Sequence, residues 1–202
     1  MSTYFITGIS TDVGKTIVSA IVTEALEADY WKPVQAGDID NTDTHKVERL
    51  VSNNKSKFFP STYVLNTPMS PHAAAEIDGI EIDIKKLKPP KTNSDLVIEG
   101  AGGLLVPLNN TQTILDIIKP NYMVIVVSRH YLGSINHTLL TVKTLQQKGF
   151  DVAIIFSGNE HKSTEAVIKK MAKVPIIGRV NEEPYFDKNV VREYAEIFRE
   201  ML

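Results

Sequence analysis

Gly8-Ile9-Ser10-Thr11-Asp12-Val13-Gly14-Lys15-Thr16 lies between a short apolar run, Tyr4 to Thr7, and a segment of helical spacing, Gly14 to Ala28. A glycine-bearing turn that leaves a buried strand and opens a helix is the setting of a phosphate loop. Phosphate needs backbone N–H groups converging on it, a lysine to neutralise its charge and a hydroxyl for magnesium. Gly14, Lys15 and Thr16 can supply these. Five residues separate Gly8 from Gly14, one more than in the usual Walker A spacing, so the loop is of the deviant variety. The stretch predicts binding of a nucleoside triphosphate, ATP with magnesium, and leaves the reaction open.

Outward from the loop, apolar runs recur at Tyr30 to Val34, Asp95 to Glu99, Tyr122 to Val127, Val152 to Phe156 and Pro175 to Val180. Each is short, rich in Ile, Val or aromatic residues and bounded by Gly, Pro or polar residues, as buried strands are. Helical spacing lies between most of them: Ser134 to Lys148 sets Ile135, Leu139, Val142 and Leu145 on one face before Gly149 stops it. A last amphipathic helix is expected over Asp187 to Leu202. The alternation predicts an α/β fold of the P-loop NTPase kind, with a mostly parallel sheet covered by helices on both faces. Lys55 to Lys91, interrupted by five prolines, reads as loops that shape a substrate pocket.

No repeat or linker divides the 202 residues, so one domain, 1–202, is expected. A net charge of −2 gives no broad positive field for nucleic acid and favours small-molecule partners. The absence of cysteine excludes a disulfide framework, a thiolate metal site and a cysteine nucleophile. Met1 to Tyr4 carries no basic leader, and no apolar stretch approaches the roughly 20 residues that span a bilayer. A cytoplasmic protein without membrane association is expected.

Open parallel sheets bind ligands beyond the carboxyl ends of their strands, so the reaction must be read from polar residues there. Trp31-Lys32-Pro33-Val34-Gln35-Ala36-Gly37 ends the second run with a lysine; alone, Lys32 reads equally as a solvated strand residue. Asn41-Thr42-Asp43 begins a helix, where Asp43 could serve simply as its N-cap. Val97-Ile98-Glu99-Gly100-Ala101-Gly102-Gly103 is sharper, an apolar strand ending in an acid before glycines. Magnesium takes a few hard oxygen ligands besides phosphate and water, which fits Thr16, Asp43 and Glu99 as a set.

Together with Ser70-Pro71-His72 and Leu132-Gly133-Ser134-Ile135-Asn136-His137, these segments closely resemble the dethiobiotin synthetase family over nearly the whole chain. The resemblance implies a homodimeric, magnesium- and ATP-dependent carboligase. Its substrates are 7,8-diaminopelargonate, CO2 and ATP, and its product is the ureido ring of dethiobiotin. It implies nucleotide contacts at Thr11, Asp12, Val13, Gly14, Lys15, Thr16 and Ile17, at Asp43, at Glu99, Gly100, Ala101 and Gly102, and at Asn159. Lys15 and Lys32 become the catalytic pair, screening the repulsion between carbamate and triphosphate. Ala36, Ser134 and Asn136 fall at substrate positions, the last two near a helix N-terminus suited to the carboxylate tail in the partner subunit.

Three departures stand out. Ala36 replaces a hydroxyl residue of many family members. Asn159 follows Phe156-Ser157-Gly158 one residue later than the family's base-contacting asparagine, and Val180-Asn181-Glu182-Glu183 replaces a more apolar segment. The rival class, switch ATPases of the chromosome-partitioning type, carries a signature lysine where this chain has Ser10.

Overall fold

The computed structural model describes residues 1–202. Its centre is a sheet of seven strands in the order β4-β2-β6-β1-β7-β8-β9. These are β1 Thr3–Gly8, β2 Asp29–Trp31, β4 Phe58–Phe59, β6 Leu96–Gly103, β7 Met123–Arg129, β8 Asp151–Ser157 and β9 Ile176–Val180. Every pairing is parallel, as expected of strands made of near-continuous apolar runs. Val124, Ile125, Val126 and Val127 of β7 are fully buried.

The order of strands fixes where the helices lie. From β1 the chain passes through α1, Lys15–Leu26, to β2, and through α2, Asp43–Leu50, to β4, moving toward one edge. From β7 it passes through α4, Ser134–Gln147, to β8 and through α5, Lys162–Ala172, to β9, moving toward the other. Right-handed crossovers in opposite directions place the two helix pairs on opposite faces. The last helix, α6 Lys188–Phe198, packs on α1. Phe198 of α6 lies so close over Gly178 of β9 that a Cβ there would come within 2.4 Å of its ring. No helix is long and apolar enough to cross a membrane.

One expected strand is divided. Tyr30 to Val34 is not continuous: β2 stops at Trp31, and after Pro33 the chain enters β3, Val34–Ala36. Proline has no N–H for the ladder and fixes φ, so a strand is interrupted there. β3 pairs in parallel with β5, Tyr63–Leu65, as a separate two-stranded sheet, beside the short helix α3, Pro71–Ile77. Lys55 to Lys91 is therefore more ordered than its prolines suggest: it holds β4, β5 and α3.

Candidate active site

The phosphate loop forms between β1 and α1. Gly14 is left-handed (φ 94°), and a Cβ on it would lie 2.8 Å from Ser157 Oγ at the end of β8. A Cβ at Gly8 would meet the Ser10 carbonyl and Val13 at 2.6 Å. Close approach thus requires both glycines, and conformation requires Gly14 as well. Inside the loop, Lys15 Nζ donates to the Ser10 carbonyl at 3.1 Å. Burial pulls its pKa down to about 8, and the charge of Lys32 adds to that, while Glu99 and Asp43 oppose it.

Sheet register builds the rest of the site. Tyr30 stands across from Val97 and Trp31 from Ile98, so Lys32, one residue on, comes level with Glu99. Side chains two apart on a strand share a face, and Tyr30, Lys32 and Glu99 therefore meet. Lys32 Nζ donates to Glu99 Oε1 at 3.0 Å and to Asp43 Oδ2. Thr16 Oγ1 donates to the same Glu99 oxygen at 3.0 Å, and the Tyr30 hydroxyl donates to Glu99 Oε2 at 2.8 Å. Lys32 is 5% exposed and Glu99 1%, which answers the solvated reading of Lys32. Burial lowers the Lys32 pKa, but Glu99 and Asp43 outweigh it and the net shift is upward. Burial, reinforced by Glu99 and Asp43, holds the Tyr30 phenol well above its ordinary value.

Asp43 is not the cap of its helix. Thr42 is, its hydroxyl accepting from the His45 N–H at 3.2 Å. Both residues are good caps; with Thr42 in that role, the Asp43 carboxylate turns to Lys32 and, at 3.3 Å, to Lys46. Gln35 holds the start of α2 against β3: its Oε1 accepts from Asp43 N at 3.1 Å, and its Nε2 donates to the Gly37 carbonyl at 3.0 Å. Burial raises the Asp43 pKa, but Lys32 and Lys46 bring it below the ordinary value.

A cavity of about 780 Å³ opens over these groups. It gathers Thr11, Asp12, Gly14, Lys15 and Thr16 of the loop with Lys32, Ala36, Asp43, Glu99, Ala101 and Gly102. Val13, Ile17 and Gly100 do not line it; Val13 is buried, and Gly100 lies against Phe5, Ile114 and the Ile6 carbonyl. Ser134, Asn136 and Asn159 lie outside it. Ser134 is 2% exposed, with its N–H bonded to the Tyr131 carbonyl, whereas Asn136 is exposed. Asn159 is exposed and donates at 3.4 Å to Glu182, which pairs with Arg129.

Arg129, Lys46, Asp38 and Met69 line the cavity although sequence reasoning passed over them. Lys46 carried a signal, its spacing of three from Asp43 on one helix face. So did Arg129, a charge ending an otherwise apolar strand.

A family model described as an AAA domain matches residues 2–190. An ATP-dependent dethiobiotin synthetase BioD of Christiangramia forsetii is 65% identical over 98% of this chain and 97% of its own length. One from Cytophaga hutchinsonii is 48% identical over 96% of each. Among solved structures, a putative plasmid partition protein of Borrelia burgdorferi bound to AMPPNP covers the whole chain and 99% of its own at a TM-score of 0.62. The MinD cell division protein of Aquifex aeolicus gives 0.60, covering all of this chain and 97% of its own. Their identities, 17% and 13%, make this a likeness of fold alone.

Proposed function

The chain belongs to the ATP-dependent dethiobiotin synthetase family, and from that premise we propose that it uses ATP to carboxylate 7,8-diaminopelargonate with CO2 and close the ureido ring. One substrate amine adds to CO2 and loses a proton to become a carbamate. A carbamate oxygen attacks the γ-phosphorus and ADP leaves. The second amine then attacks the carbonyl carbon of the mixed anhydride, loses its proton and expels phosphate, giving dethiobiotin. The observation that carries the reading is the buried lysine between two carboxylates beside the phosphate loop.

Carbamate and triphosphate are both anions, and bringing them together needs fixed positive charge in a water-poor site. Lys15 and Lys32 fill that role, Lys15 at the terminal phosphates and Lys32 at the carbamate and the phosphoryl group in transfer. Lys15 leaves the Ser10 carbonyl when phosphate replaces it as acceptor. Thr11 to Ile17 and Gly100 to Gly102 frame the nucleotide, and Asn159 serves the base.

Magnesium belongs in this scheme, held by Thr16, Asp43 and Glu99. The fit rests on donor chemistry: two carboxylates share the Lys32 ammonium group, and the Thr16 hydroxyl bonds to one of them, so three hard oxygen donors lie together beside the phosphate loop. No three acids or histidines form a cage, and magnesium, which keeps waters and phosphate oxygens among its ligands, needs none. When bound, the ion supplies charge neutralisation at the triphosphate.

Ala36 lines the diamine's part of the cavity without a side-chain bond to it. We further propose a cytoplasmic homodimer, in which Asn136 and the start of α4, with Ser134, take the carboxylate tail from the partner's site. Support comes from the apolar side chains that this region leaves in solvent, Leu132 wholly and Leu140 by 58%.

The test is incorporation of labelled bicarbonate into diaminopelargonate by the purified protein with magnesium and ATP. Labelled dethiobiotin is expected. ATP hydrolysis that ignores the diamine, with no labelled product, would overturn the reading in favour of a switch ATPase.

A further inference from the structure

We propose that Tyr30 is a positioning residue for magnesium: from the neighbouring strand, on the same face of the sheet, it holds one oxygen of Glu99 so that only the other is presented to the metal. The inference rests on the reading of Glu99 as a magnesium ligand.

Glu99 has two oxygens with different surroundings. Oε1 faces the loop side, where Thr16 and Lys32 both donate to it at 3.0 Å. Oε2 is taken by the Tyr30 hydroxyl at 2.8 Å. Tyr30 is completely buried and Glu99 nearly so, so no water competes for that bond. The pairing follows from register. Tyr30 stands across from Val97, and Glu99, two residues further along β6, shares that face. The ring is also held from the side by Phe58 of β4, its centroid 6.4 Å away.

A carboxylate free to rotate about its last torsion can offer either oxygen or both, and each mode places a metal differently. Anchoring Oε2 removes the two-oxygen mode and fixes the direction of Oε1. A magnesium site is demanding in this respect, because the ion requires near-octahedral geometry at short distances. Groups that hold a ligand in place are commonly as decisive for metal affinity as the ligand itself.

A buried tyrosine needs a hydrogen-bond partner in any case, and a purely structural Tyr30 would use Glu99 for that end alone. The two roles differ in what Tyr30→Phe changes. The substitution keeps the ring and its packing and removes one oxygen. With magnesium positioning, Mn2+ binding to the protein with ADP, followed by electron paramagnetic resonance, weakens by about 10-fold, the low end for outer-shell partners. The half-saturating magnesium concentration in the carboligation assay rises in parallel, KM for the diamine stays constant, and excess magnesium restores most of the turnover. With a structural role, the thermal midpoint falls and Mn2+ affinity stays within about twofold of the parent; that result overturns the proposal.

Glu99→Gln separates the two levels. If it binds Mn2+ as tightly as the parent, the metal reading itself fails. If it binds weakly while Tyr30→Phe binds normally, the metal reading stands and Tyr30 drops out.

Discussion

Removing Lys32 should cost stability and catalysis together, and a double-mutant cycle with Glu99 isolates the reason. The ammonium lies 3.0 Å from Glu99 Oε1 with both residues buried. At an effective dielectric constant of about 20, charges at that distance attract by about 5 kcal/mol. Desolvation offsets much of this in the intact protein, yet deleting one partner leaves the other carboxylate buried and unpaired, at a cost of about 3–5 kcal/mol. Lys32→Ala should therefore lower stability by that amount in urea unfolding at pH 7 and lower the thermal midpoint by roughly 10 °C. Glu99→Gln should cost less, about 1–3 kcal/mol, because Asp43 still pairs with the lysine. The double variant removes both members of the pair, and Asp43 keeps Lys46, so it should be more stable than the summed losses predict by about 1–2 kcal/mol. Turnover of Lys32→Ala should fall about 100-fold or more. Burial pulls the lysine's pKa down while Glu99 and Asp43 push it, on balance, above 10.5. Its contribution is thus complete below that pH and is lost only as pH rises through the higher folded value. Losses that add to within about 0.5 kcal/mol would refute a coupled pair.

Lys15 should behave in the opposite sense. Its folded pKa of about 8 lies below its ordinary 10.5, so the native chain gives up this proton before the unfolded one does, and stability rises with pH across that window. At pH 7 the buried charge costs up to about 3 kcal/mol. Lys15→Met should stabilise the ligand-free protein at pH 7 in urea titrations while abolishing ATP-dependent turnover; a destabilised variant would contradict this. Gly178→Ala should push Phe198 of α6 out of its seat and cost about 1–3 kcal/mol, with KM for ATP unchanged. An unshifted thermal midpoint would show that α6 yields freely.

The sequence makes the phosphate loop, the parallel strands and α4 legible because each is a local pattern: an apolar run, a helical period, a glycine where one was needed. What it hides depends on other parts of the chain. Phe58–Phe59 pairs with Tyr30 and Trp31 as β4, but two residues are too few to carry a period. Asp43 reads as a helix cap from the sequence, and only the placement of Lys32 shows its carboxylate turned to that lysine while Thr42 caps the helix. Lys32 itself reads two ways until register sets it level with Glu99, 67 residues away. The bond from Tyr30 to Glu99 joins two segments whose adjacency in the sheet no local pattern reveals. Asn159 and the helix start at Ser134 and Asn136 are visible as motifs, but all three lie outside the main cavity.

The break at Pro33 divides the cavity between two supports. Tyr30, on the strand that belongs to the seven-stranded sheet, and Lys32, just past that strand's end, precede it; Gln35 and Ala36 follow it on the strand that belongs to the pair β3 and β5. The phosphate-handling side is anchored in one framework and the Ala36 side in another, joined by a single stiff residue. Such a seam lets a lineage alter β5 and α3, which flank β3, without touching the bonds among Tyr30, Lys32 and Glu99, whereas Gln35 of β3, which holds Asp43, belongs to both sides at once.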